Sequence, residues 1–170
     1  QVLALAGLEP PAHVLDMPSG VGPHSIEFAR LGCTVTAVDR TASYLKRAQA
    51  RAEELGLKVE FVQADMREFD RPDAFDLAVN LSTSFGYFED QADDRRVLQN
   101  FFASLRPGGA LVMDLMGKEV LARIFRPHDW LELEDGTLLL EKRQVRGDWS
   151  WMDNEWILVR DGERRVYPLS

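Results

Sequence analysis

From Val14 to Asp114 the chain alternates short apolar runs with stretches whose apolar positions recur at helical spacing, the pattern of parallel strands joined by right-handed crossover helices. Val14-Leu15-Asp16 reads as the end of a first strand and Pro23 to Leu31 as the helix behind it; Thr34 to Asp39 reads as the second strand. Thr41 stands where a cap belongs. The helix after it carries Tyr44, Leu45, Ala48, Ala52 and Leu55 on one face, and Gly56 stops it. Val59 to Val62 and Phe75 to Asn80 supply strands three and four. The next helix is expected to bury Val97, Leu98, Phe101, Phe102 and Leu105 and to end at Arg106-Pro107-Gly108-Gly109, before a fifth strand from Ala110 to Leu115.

After Asp114 the pattern changes. A short helix over Lys118 to Phe125 precedes strand-like stretches at 129–134, 137–146, 149–160 and 163–169. Asp135-Gly136, Gly147-Asp148 and Asp161-Gly162 separate them, as in an antiparallel meander with tight turns. Alternation puts Trp149 and Trp151 on one face of it. The predicted fold is α/β: a Rossmann-like, doubly wound, mostly parallel sheet with an antiparallel extension on its C-terminal side. Residues 1–117 form the core, and 118–170 are expected to elaborate the same domain.

Composition narrows the function classes. The chain has 170 residues, 45% hydrophobic and 28% charged, which suits a compact globular fold and excludes a low-complexity or largely disordered one. Twenty basic against twenty-eight acidic side chains leave a net charge of −8, which disfavours nucleic-acid and anionic-membrane partners. No apolar run approaches the roughly 18 residues of a membrane span. Cys33 alone can make no internal disulfide, and a reducing cytoplasm is the expected compartment. Gln1 opens the chain without an initiator Met, and the chain stops inside a strand-like stretch, so a fragment of a longer polypeptide is expected.

The most informative stretch is Asp16-Met17-Pro18-Ser19-Gly20-Val21-Gly22-Pro23-His24-Ser25. It leaves a strand and opens a helix, where glycines let a ligand approach bare backbone and the helix start offers unpaired N–H groups. Seventeen residues past Gly22 the second strand ends in Asp39, a carboxylate able to accept both hydroxyls of a ribose. The third strand ends at Gln63-Ala64-Asp65-Met66, which brings a second carboxylate toward the place of an adenine amino group. Polar groups at three successive strand ends thus point toward one crevice.

With these elements the sequence resembles the class I S-adenosylmethionine-dependent methyltransferases, through the Asp16 to Gly22 loop, Val38-Asp39, Ala64-Asp65-Met66, Phe75 to Asn80 and Leu105-Arg106-Pro107-Gly108-Gly109. The resemblance covers nearly all of residues 12 to 117. It implies S-adenosylmethionine as cofactor, with Gly20 and Gly22 against its methionine portion, Asp39 on the ribose diol, and Asp65 with Met66 reading the adenine. Asn80 and Leu81 would line the cofactor and the transfer site, and Asp16, Ser19 and Arg40 complete the expected cofactor-binding set. Where the family usually has glycine this chain has Pro18, which has no N–H to donate, so direct backbone bonding from that position is excluded and the loop is left to work through Gly20 and Gly22. The alternative ligand is a nicotinamide dinucleotide in an NAD(P)-dependent oxidoreductase. That fingerprint needs a third glycine where this chain has Ser25, and S-adenosylmethionine has no phosphate to cradle. A non-catalytic cofactor-binding module is a further alternative.

The expected chemistry is in-line displacement of a methyl group from a sulfonium toward a small-molecule acceptor, with the protein supplying alignment and a partly dry cavity. His24, at the helix start, and Tyr87, in the loop after the fourth strand, are the candidate catalytic residues. Phe85 and Phe88 read as packing, and Asp93-Asp94-Arg95-Arg96 as a solvated helix face. His13 and His128 have no metal-ligand spacing, and no metal site is expected. The resemblance also implies that the antiparallel extension governs acceptor choice, and that the sheet should finish with a further helix and an antiparallel strand pair. Those closing elements are not legible in this chain: either the meander substitutes for them or the fifth strand keeps an open edge.

Overall fold

Strand β1 (His13–Asp16) is apolar at consecutive rather than alternate positions, the mark of a parallel strand covered on both faces. Val14 and Leu15 are both fully buried. In this computed structural model, which describes residues 1–169, β1 pairs in parallel with β2 (Thr34–Asp39) on one side and β4 (Phe75–Asn80) on the other. Strands β3 (Glu60–Gln63) and β5 (Leu105–Met113) complete a sheet of order β3-β2-β1-β4-β5. The order reverses between β1 and β4, and in open α/β sheets such a switch point opens a crevice at the carboxyl ends of the strands.

Alternate residues of the central strands feed two apolar layers. Val14, Val35, Leu77 and Val79 pack on one face with Phe28 of helix α2 (Pro23–Arg30) and with Leu3. Leu15, Val38 and Ala78 pack on the other with Val97 and Phe101 of helix α4 (Gln91–Ser104). Helix α3 (Ala42–Glu54) buries Leu45, Ala48 and Ala52, while Tyr44, expected on the same face, is 45% exposed one position round from Leu45, and Leu55 is the C-cap residue. Leu3 belongs to α1 (Val2–Leu5), a single turn too short to show a period in the sequence and ordered by the core that Leu3 enters.

Helix α4 departs from expectation. It buries a narrow stripe of Val97, Phe101 and Ser104, while Leu98 is 39% and Phe102 84% exposed. Residues 98 and 102 lie one position, about 100°, round from that stripe. Strand β5 also begins earlier than expected. Leu105 already pairs with Phe75, and the ladder resumes at Leu77–Ala110, so Arg106-Pro107-Gly108-Gly109 forms an irregularity within the strand. Gly109 fits closely there: a Cβ would stand 3.0 Å from the Arg106 carbonyl oxygen and 3.1 Å from that of Phe75.

The chain divides into two units, Gln1–Leu115 and Met116–Ser170. The second contains α5 (Lys118–Ile124) and the antiparallel strands β6 (His128–Glu132), β7 (Leu138–Arg146), β8 (Trp151–Arg160) and β9 (Glu163–Leu169), paired in sequence order. This is the expected meander, as a sheet of its own. Trp149 is not on a strand beside Trp151. Asp148 and Trp149 both have positive φ (53° and 62°) in the β7–β8 turn, and the Trp149 ring meets Phe125 edge-on at 5.2 Å. Among the described residues no helix is long and apolar enough to cross a membrane.

Candidate functional site

The site is built where β1 gives way to α2. The chain leaving β1 is pinned from both sides, Met17 N–H donating to the Val79 carbonyl at 3.0 Å and Ser19 N–H to the Val38 carbonyl at 2.8 Å. The two glycines of the bend then do different work. Gly20 (φ +56°) would place a Cβ in open space, whereas a Cβ on Gly22 (φ +77°) would stand 2.8 Å from the Ala48 Cβ. Gly22 is therefore explained by the packing of α2 against α3, and Gly20 is the position that leaves bare backbone open.

Asp39, at the end of β2, is buried and organises this bend. Its Oδ2 accepts the Gly20 N–H and its Oδ1 the Thr41 N–H, each at 2.8 Å. Thr41 occupies the cap position of α3, but its own side chain makes no capping bond. Each Asp39 oxygen keeps a further lone pair for a ligand hydroxyl. Arg40 beside it is exposed, and its carbonyl accepts from Gln63 Nε2 at 3.3 Å.

Asp16 is a different kind of carboxylate. It is 1% exposed and accepts the Ser25 hydroxyl at 2.5 Å. Burial pushes its pKa up to about 7 against the pull of the Ser25 hydroxyl and N–H, and the Asp39 charge adds to the rise. Asp65, after β3, is held by Arg67 instead. Arg67 donates from Nε to Oδ1 at 2.9 Å and from Nη2 to Oδ2 at 2.8 Å, which lowers the carboxyl's pKa against the opposing effect of burial. The neighbouring Met66 carbonyl accepts from Asn100 of α4 at 2.9 Å.

Strand β4 contributes Asn80, fully buried, whose Nδ2 donates to the Met17 carbonyl at 3.0 Å while its Oδ1 has no partner. The Ser19 hydroxyl is also buried without a partner. Native folds rarely leave such atoms unsatisfied, and these two stand at the carboxyl ends of β1 and β4, the strands that border the switch point. Leu81 packs into the apolar layer with Val79 and Leu3. The loop beyond it carries Ser82 and Thr83 at positive φ (58° and 53°), a costly conformation for a β-branched residue. Ser82 Oγ lies 3.4 Å from Nε2 of the half-buried His24, while Tyr87 is 58% exposed. The structure thus brings the α2 start and the β4 loop together through His24 and Ser82.

Sequence reasoning missed Arg67 and misread its partner. Asp93 accepts from Arg67 Nη1 at 2.9 Å, and Asp94 has a buried Oδ1, with its pKa raised by burial and by Asp93 beside it. Both sit in the first turn of α4, so the solvated helix face holds only for the exposed Arg95 and Arg96. The available signal was an Asp-x-Arg spacing at a strand end together with acidic residues just inside a helix start.

Comparison with known proteins agrees with this geometry. The family model described as "Methyltransferase domain" matches residues 14–109, more than half of the chain. The chain is 30% identical over 103 residues to a glycine/sarcosine N-methyltransferase from Halorhodospira halochloris, covering 59% of this chain and 38% of that protein. It spans less than half the length of the first curated relatives it matches. Among solved structures, an S-adenosylmethionine-dependent methyltransferase from Clostridium acetobutylicum superposes with a TM-score of 0.78 at 19% identity, covering 99% of this chain and 69% of that one. S-adenosylmethionine-bound CalS10, an amino pentose methyltransferase from Micromonospora echinaspora, superposes with a TM-score of 0.67 at 24% identity, covering 94% and 66%. With the switch-point crevice, the strand-end carboxylates and the family match in agreement, the chain belongs to the methyltransferase domain family of class I S-adenosylmethionine-dependent methyltransferases.

Proposed function

We propose that the protein transfers a methyl group from S-adenosylmethionine to a small-molecule acceptor. The observation that carries this reading is the pair of unsatisfied buried atoms, Ser19 Oγ and Asn80 Oδ1, beside the open backbone of Gly20 and the free lone pairs of Asp39. An amino-acid end bearing donors and acceptors suits the first two, and a ribose diol suits Asp39, so the residues present fit the cofactor. Bound there, S-adenosylmethionine supplies a sulfonium-activated methyl carbon.

The chain's own residues supply the rest. Asp39 orients the ribose through lone pairs left by the Gly20 and Thr41 N–H groups. Asp65 and the Met66 backbone border the adenine, with Arg40 exposed nearby. His24 and Ser82 together form a polar pair able to hold or accept a proton from an acceptor, and an amine acceptor would need little more than alignment from them. Tyr87 is exposed enough to reach an acceptor from the same loop as Ser82. The dinucleotide alternative is disfavoured because Ser25 occupies the place of its third glycine and spends its hydroxyl on Asp16.

Calorimetric titration with S-adenosylhomocysteine, the demethylated cofactor, tests the reading. Wild type binds it and does not bind NAD. Asp39→Ala, checked by circular dichroism for an intact fold, loses two charge-assisted contacts worth about 1.5 to 3 kcal/mol each, so binding weakens by at least about tenfold. A folded D39A that binds as tightly as wild type refutes the assignment of Asp39.

A further inference from the structure

Arg67 touches three separate elements around the proposed cofactor seat. Its guanidinium grips both oxygens of Asp65 after β3, and its backbone N–H donates to Oδ1 as well, at 2.9 Å. Nη1 reaches Asp93 in the first turn of α4 at 2.9 Å. Its central carbon stands 4.6 Å over the ring of Phe88, inside the β4–α4 segment that also carries Ser82 and Tyr87. The three charged side chains are only 34%, 17% and 27% exposed for Arg67, Asp65 and Asp93, so their contacts are partly shielded from water. A planar fork engaged on two sides at once cannot follow one partner without pulling on the other.

We propose that Arg67 is a positioning residue that couples the adenine end of the cofactor seat to the acceptor-side segment 81–90. This rests on the methyltransferase reading given above. A ligand amino group drawn to Asp65 shares a carboxylate whose two oxygens Arg67 already holds, so its arrival fixes the guanidinium, and through it Asp93 and the Phe88 ring. Segment 81–90 is a suitable element to be biased, because Ser82 and Thr83 hold it in a costly backbone conformation. The coupling is reciprocal: an acceptor that orders 81–90 also tightens the adenine end.

Hydrogen–deuterium exchange of the whole chain, with and without S-adenosylhomocysteine, tests this. In wild type the ligand slows exchange around 64–69 and, by about fivefold or more, in 81–90. In Arg67→Ala the ligand still binds, more weakly, but its effect on 81–90 falls below about twofold. Asp93→Asn leaves the Asp65–Arg67 grip in place and releases only the reach to α4. It binds the ligand within about threefold of wild type and loses at least half of the slowing in 81–90, a split that general loosening of the fold would not produce. D93N also decides the matter if R67A fails to fold. A wild type that binds no S-adenosylhomocysteine overturns the cofactor reading and this inference together. A wild type that binds it with 81–90 unaffected, or variants that transmit the full slowing, overturns the coupling alone.

Discussion

Replacing Asp16 by Asn isolates the cost of a buried carboxylate at the base of the site. Asp16 is 1% exposed, and burial raises its pKa from 3.8 to about 7, with Ser25 opposing and Asp39 reinforcing the rise. Between those values the folded protein holds a proton on Asp16 that the unfolded chain has released. Stability therefore falls as pH rises from about 4 to about 7 and levels off above, where both states are ionised. The difference of roughly three pH units corresponds to about 4 kcal/mol at the upper plateau. Asn keeps the shape without the charge and can still accept the Ser25 hydroxyl through its oxygen, but it presents an amide donor where the second oxygen stood. Allowing about 1 to 2 kcal/mol for that mismatch, D16N should be more stable than wild type by about 2 to 3 kcal/mol at pH 8 and no more stable at pH 4.5. Urea unfolding of both proteins from pH 4.5 to 8 measures this. If the two stability curves run parallel across that range, Asp16 is not the desolvated acid described.

Other consequences can be checked on the same footing. Gly22→Ala combines a left-handed backbone with a 2.8 Å approach to Ala48 and should cost at least about 2 kcal/mol in urea unfolding, whereas Gly20→Ala meets no neighbour and should cost about 1 to 2 kcal/mol from conformation alone. Equal losses would show that the two glycines are not divided between packing and exposure. Phe101→Ala, at a fully buried position, should lose about 3 to 5 kcal/mol, and Phe102→Ser, at an 84% exposed one, no more than about 0.5 kcal/mol. A large loss from F102S would place that ring in a packed environment.

The β-strand ends that frame the site were legible because each is a local signal: an apolar run closing on a polar residue, at Asp16, Asp39 and Asn80, before a turn or helix start. The meander was legible for the same reason, its Asp-Gly and Gly-Asp turns falling between alternating strands. What each polar residue does was not legible. Asp16 and Asp39 look alike in sequence, yet one is sealed under Ser25 and the other braces Gly20 and Thr41 with lone pairs to spare.

Sequence by itself determined the order of elements, the parallel sheet and the stretch where a cofactor belongs, since periodicity and turn chemistry act over a few residues. Only the tertiary structure decided that Gly22 stands against Ala48 of α3, that Phe102 and Trp149 leave the faces their spacing implied, and that Arg67, which holds Asp65, reaches Asp93 26 positions further along the chain. Burial, desolvation and charge pairing depend on neighbours brought together through space, and no window along the chain contains them.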